Sequence, residues 1–204
     1  MQRRPLIALG ALAPLASLLA TPSHAAAVGQ PAPDFTLTDT AGKPVKLGDF
    51  RGRHVVLEWN NPGCPFVKKH YQGNMQALQK EATGKGMAWL AINSTEDGSS
   101  DYMTPPQLGR WMQDQKAAPT ATLMDEDGKV GAAYAARVTP HMYIVDPRGL
   151  LVYAGGIDSI PSANVADIAR ATNHIRVAMA DIAAGKPLSV ASSRPYGCTI
   201  KYKT

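Results

Sequence analysis

Hydrophobic positions recur along this chain with two different periods. The segment "HVVLEWN" (54–60) is rich in β-branched and aromatic residues, and "MAWLAINS" (87–94) is a short apolar run, so both predict strands. "HMYIVD" (141–146) and "LLVYAGGI" (150–157) flank Pro147-Arg148-Gly149 and predict a hairpin. Between these runs the spacing changes to three and four. Phe66, Val67, His70, Tyr71, Met75 and Leu78 predict one helix that starts at Pro65 and ends at Gly84 and Gly86. Thr104 followed by Pro105 marks the cap and first position of a second helix. A long final helix is predicted over 162–184, with Val165, Ile168, Ile175, Met179 and Ile182 on its apolar face. Strands alternating with helices predict an α/β fold, and the closing hairpin makes its central sheet mixed.

Length and composition bound this picture. A chain of 204 residues with 45% hydrophobic residues suits one domain with a substantial core. Its start, with Arg3 and Arg4, an apolar run over 6–20 and the small-residue pattern Ser23-His24-Ala25, has the layout of a secretory signal peptide. Pro14 interrupts that run, which is also shorter than the roughly 20 residues of a membrane span. The expected organisation is a signal peptide over 1–25, the α/β domain over 26–185 and a polar tail over 186–204. Export, to the periplasm of a bacterium, follows from it, with membrane contact only through an uncleaved leader. Loss of Arg3 and Arg4 lowers the net charge from +5 to +3, without a Lys/Arg block, so nucleic acid is not an expected partner.

Two cysteines carry the candidate chemistry. Cys64, in "NNPGCPFVKKHY", follows a strand and a short loop and precedes Pro65. Its sulfur is thereby expected at a helix N-terminus, where unpaired N–H groups and the helix dipole favour a thiolate. Lys68 and Lys69 add positive potential if they share that face. An inert buried thiol is the alternative reading, and the turn setting argues against it. Glu58 is either a proton relay to Cys64 or a strand-end charge facing solvent. His70, six residues past Cys64, points away from the sulfur, and His141 approaches it only if strand alternation allows. Trp59, Trp89 and Trp111 read as packing. Asp125-Glu126-Asp127-Gly128 lacks the later glutamate of a calcium loop and reads as a turn. No metal and no cofactor are expected, because the Cys, His and Met residues form no convergent ligand set.

Three stretches, "VVLEWNNPGCPFV", "AYAARVTPHMYIVDPRGLLVYAGGID" and the terminal "PYGCTIKY", together resemble the thioredoxin-like redoxin superfamily. Within it they are similar to the peroxiredoxin-like group related to alkyl hydroperoxide reductase/thiol-specific antioxidant proteins, over about residues 29–203. The resemblance implies a thioredoxin-like fold, a cis bond at Thr139-Pro140 beside the redox cysteine, and Cys64 in the peroxidatic position. Asn61 stands where a CxxC motif has its first cysteine and where peroxiredoxins have a Thr, and it is a candidate hydrogen-bond donor to the sulfur. Pro140 fills the place of the peroxiredoxin guanidinium, with Arg137 nearby in sequence. Cys198 is then a possible resolving thiol, or half of a structural disulfide. The implied function is a thiol oxidoreductase of peroxiredoxin-like type, acting on peroxide with an external thiol reductant. The alternatives are thiol–disulfide exchange with protein disulfides, and a binding module that keeps the fold without the chemistry.

Overall fold

A computed structural model describes residues 26–203. The proposed signal peptide lies outside the described residues. Seven strands form one mixed sheet. In chain order its members are β1 (Thr36–Asp39), β2 (Pro44–Lys46), β3 (Val55–Trp59), β4 (Ala88–Asn93), β5 (Ala121–Met124), β7 (His141–Val145) and β8 (Leu151–Gly155), arranged β2-β1-β5-β4-β3-β7-β8. The centre, β3-β4-β5, is parallel, and β7 and β8 form the expected antiparallel hairpin beside β3. A second sheet pairs two short strands, β6 (Val138–Thr139) and β9 (Cys198–Thr199).

Helices cover both faces of the sheet, so its central strands are buried throughout, and β3 and β4 are mainly apolar without alternation, interrupted only by Glu58 and by Asn93 at the end of β4. Val55, Leu57 and Trp59 point into one core with Phe35, Leu90, Ile92, Tyr134 and Tyr143. Val56 points into the other, with Cys64, Val67, Met75, Leu78, Trp89, Met142 and Ile175.

Two predicted helices are each broken in two. The first becomes α1 (Pro65–His70) and α2 (Asn74–Gly84), because Gly73 adopts φ +113, outside helical space, and its N–H is taken by the Gln76 side chain at 3.0 Å. The last becomes a 3-10 turn over Val165–Ala169 and then α5 (His174–Ala183), which Asn173 caps by accepting from Arg176 N–H at 2.9 Å. Two further helices are α3 (Pro105–Asp114), capped by Thr104 with Pro105 first as expected, and α4 (Lys129–Ala133). The Asp125 carboxylate accepts from the first-turn N–H groups of α4, Val130 at 3.1 Å and Gly131 at 2.8 Å, so this acidic stretch is a turn into a helix.

The tail is an integral strap rather than an appendage. Leu188, Val190, Tyr196 and Cys198 pack against the core that holds Cys64, and Ile200 and Tyr202 against the core that holds Trp59. Lys201 ties it to the 95–101 loop through Glu96 N–H and the Asp101 carboxylate. Among the described residues no helix is long and apolar enough to cross a membrane.

Candidate active site

The chain leaves β3 through a tight turn in which Asn61 is used twice. Its side-chain oxygen accepts from Gly63 N–H at 2.7 Å, and its backbone carbonyl accepts from Cys64 N–H at 3.0 Å. Cys64 thereby becomes the N-cap of α1, with extended backbone, its carbonyl accepting the first helical bond from Lys68, and Pro65 at the first position. The sequence placed Cys64 in the second position of a CxxC frame whose first position is Asn61. A frame anchored on an N-cap nucleophile instead runs from Cys64 to Val67, which is fully buried in the core. Dithiol exchange within the motif is excluded in either frame.

The partner thiol comes from the far end of the chain. Strands β6 and β9 place Thr139 opposite Cys198, and the Cys64 thiol donates to the Thr139 carbonyl at 3.1 Å. Thr139-Pro140 is cis. Cys64 and Cys198 thus meet at Thr139, and Cys198 packs on the core cluster that holds Cys64. Burial, followed by the hydrogen bond and the charge of Cys64, pushes the Cys198 thiol up to about 12. Cys64 is 2% exposed and Cys198 partly exposed.

Gly197 permits this approach. It adopts φ +143, and a Cβ there would lie 1.9 Å from the Thr139 carbonyl oxygen. A Gly197→Ala variant is expected to push β9 off β6, destabilise the protein by about 2 kcal/mol and free Cys198 for alkylation. Urea unfolding and the alkylation rate of Cys198 measure the two effects.

Glu58 is neither solvent-facing nor bonded to Cys64. Strand alternation turns it, with Val56, toward the face that α2 covers, where it is fully buried. Its carboxylate accepts from Tyr71 hydroxyl and Trp89 Nε1, both at 2.7 Å, from Gln79 at 3.2 Å and from Asn60 at 3.4 Å. Burial raises its pKa, and these four donors oppose the rise. The Asn61 side chain closes the turn through its oxygen, and the partner of the Cys64 sulfur is the Thr139 carbonyl rather than the Asn61 amide. The Thr139 hydroxyl is buried without a partner. His141 shares the Tyr143 side of β7, away from the core that holds Cys64, and its Nδ1 lies 3.1 Å from the Tyr143 hydroxyl. The Arg137 charge acts on His141 and Tyr143.

Sequence reasoning missed a buried cluster beside the site. Lys69 does not lend its charge to the sulfur; its side chain is fully buried with Nζ 3.4 Å from Asp158. His70 Nε2 lies 3.7 Å from the same carboxylate and 3.1 Å from the Tyr196 hydroxyl, which donates to Asp158 at 2.5 Å. The signal available was Tyr196 in "PYGC", two residues before the second cysteine, but nothing local links it to Lys69 or Asp158.

A family model described as the AhpC/TSA family matches residues 28–154. Thioredoxin-like protein YneN of Bacillus subtilis (strain 168) is 30% identical over 123 residues, 60% of this chain and 68% of that protein. Thiol-disulfide oxidoreductase ResA of the same strain is 27% identical over 124 residues, 61% of this chain and 64% of ResA, so the match spans just under two thirds of that protein. Among solved structures, an uncharacterized conserved protein from Geobacillus kaustophilus superposes with TM-score 0.72 at 28% identity, covering 87% of this chain and 93% of that one. A hypothetical protein from Sinorhizobium meliloti 1021 gives TM-score 0.72 at 26% identity over 89% and 97%. The thioredoxin domain of a thiol-disulfide oxidoreductase from Bacteroides vulgatus shares the fold, with TM-score 0.52 at 22% identity over 71% and 96%. With a mixed sheet flanked by helices, a cysteine capping the helix that follows β3 and a family match across most of the sheet, this chain belongs to the AhpC/TSA family of the thioredoxin-like redoxin superfamily.

Proposed function

We propose that this protein is a thiol–disulfide oxidoreductase whose working dithiol is Cys64 and Cys198. One observation carries the reading: Cys64 bonds the Thr139 carbonyl at 3.1 Å and Thr139 is paired with Cys198, so the fold brings the two thiols to one place, where an internal disulfide can form and break. The relatives named thiol-disulfide oxidoreductases support it. In the forward direction the Cys64 thiolate attacks one sulfur of a substrate disulfide. That S–S bond breaks, one substrate thiol leaves with a proton, and a mixed disulfide remains. Cys198 then loses its proton, attacks the Cys64 sulfur and releases the second substrate thiol, two electrons having passed to the substrate. An external thiol reductant restores the pair. Burial is the largest cause of the raised Cys198 pKa, so this thiol is protonated at rest and gives up its proton only as it attacks.

A peroxidase reading is favoured by the AhpC/TSA match itself. There Cys64 attacks one peroxide oxygen, the O–O bond breaks to give a sulfenic acid and water or an alcohol, and Cys198 condenses with it to release water. The weaker fit lies in the missing donors: the Asn61 side chain closes the turn through its oxygen, and the Arg137 charge bears on His141 and Tyr143. Reduced protein should be mixed separately with oxidised glutathione and hydrogen peroxide, quenched by alkylation and weighed intact. Faster closure of the Cys64–Cys198 bond by the disulfide supports exchange. Faster closure by peroxide supports the peroxidase, and no closure by either leaves a binding module. The leader over 1–25 supports export, where protein disulfides are the expected partners.

A further inference from the structure

The strand that delivers Cys198 is too short to hold itself. Strands β6 and β9 share only two residue pairs, and Gly197 gives the chain no side chain with which to brace the cysteine. The nearest anchor upstream is Tyr196. Its hydroxyl donates to Asp158 at 2.5 Å and lies 3.5 Å from Lys69 Nζ and 3.1 Å from His70 Nε2, and its ring meets Phe66 edge-on with centroids 5.7 Å apart. Phe66, Lys69 and His70 all belong to α1, the helix that Cys64 caps. One buried cluster therefore fastens the segment carrying Cys198 to the helix carrying Cys64. Asp158, Tyr196 and Cys198 all lie beyond residue 154, where the family match ends.

We propose that Asp158 and Tyr196 are positioning residues that set the redox potential of the Cys64–Cys198 pair, by fixing Cys198 against the helix that bears Cys64. This rests on the exchange reading above. The chemistry concerned is the equilibrium Cys64–SH + Cys198–SH + GSSG ⇌ Cys64–S–S–Cys198 + 2 GSH. One S–S bond breaks and one forms, two electrons pass from the protein to glutathione disulfide, and both thiol protons end on glutathione. Its constant scales with the effective concentration of one protein thiol at the other, which falls when a tether is loosened. A buried ion pair such as Lys69–Asp158 adds little net stability but fixes geometry, which suits a positioning role better than a stabilising one.

The test is that constant, measured in glutathione buffers by alkylation and intact mass, for the wild type and for Tyr196→Phe. The variant keeps the ring against Phe66 and removes the hydroxyl that Asp158 and His70 hold. The constant is expected to fall about tenfold, making the potential about 30 mV more oxidising, while the melting temperature of the reduced protein stays near that of the wild type. An unchanged constant overturns the proposal, and so does a lowered melting temperature with an unchanged constant, which marks the cluster as structural. Should Tyr196→Phe fail to fold, Asp158→Asn reads the same quantity with the tyrosine in place. A wild type that forms no internal disulfide at any glutathione ratio defeats the exchange reading itself, and is distinguished from the failures above because it precedes any substitution.

Discussion

A Cys198→Ser variant given a disulfide substrate is expected to stop at the Cys64 mixed disulfide and to hold it. On the proposed cycle the wild type is expected to pass through that species and release reduced substrate. In the proposed cycle Cys64 alone makes the first attack, and release requires a second thiol near its sulfur, which the β6–β9 pairing would supply. With serine at 198 that thiol is absent, and external thiol becomes the only route out. Cys64→Ser removes the attacking atom and should lower exchange turnover by on the order of 10³-fold or more, the scale seen when a covalent nucleophile is lost. Intact mass after a short exposure to oxidised glutathione separates the two variants: an adduct of one glutathione on Cys198→Ser, and no glutathione at residue 64 on Cys64→Ser. A Cys198→Ser protein that turns over like the wild type would exclude Cys198 from the cycle.

Glu58→Leu is expected to be the most destabilising single substitution in the sheet, by about 4 kcal/mol, because removal of a buried acceptor leaves its donors unsatisfied. Trp89 Nε1 and the Tyr71 hydroxyl lose bonds of 2.7 Å, and Gln79 and Asn60 lose longer ones. In a domain of this size that corresponds to a fall in melting temperature of roughly 10 °C. The same carboxyl makes stability pH-dependent. Its folded pKa is raised above the ordinary 4.5, chiefly by burial, so the folded protein holds this proton more tightly than the unfolded chain. The contribution is fully present below pH 4.5 and is lost as pH rises through the folded pKa. Urea midpoints measured against a non-titrating Glu58→Gln reference should show the wild type losing ground as pH increases from that point. A difference independent of pH would show that Glu58 titrates alike in both states.

Much of the fold was legible in the chain. The runs around 55–59, 88–93, 141–145 and 151–155 are strands, and Thr104-Pro105 starts a helix, because periodicity and capping are read from neighbours along the backbone. The helix breaks at Gly73 and Asn173 carried local signals that the apolar periodicity overrode. Strands β1, β2, β5, β6 and β9 are two to four residues long, too short for alternation to register, and they exist because partners are present.

The site divides in the same way. By itself the sequence determined that Cys64 stands at a strand–loop–helix junction, since that follows from turn chemistry within a few residues, whereas Pro140 was placed beside it by the family resemblance. Only the tertiary structure decided that Cys198 meets Cys64, that Glu58 sits dry beneath four donors, and that Lys69 turns from the sulfur to Asp158. Each of these depends on which distant element packs against which face. A local pattern specifies the face, and the partner brought to it is fixed by closing the whole core.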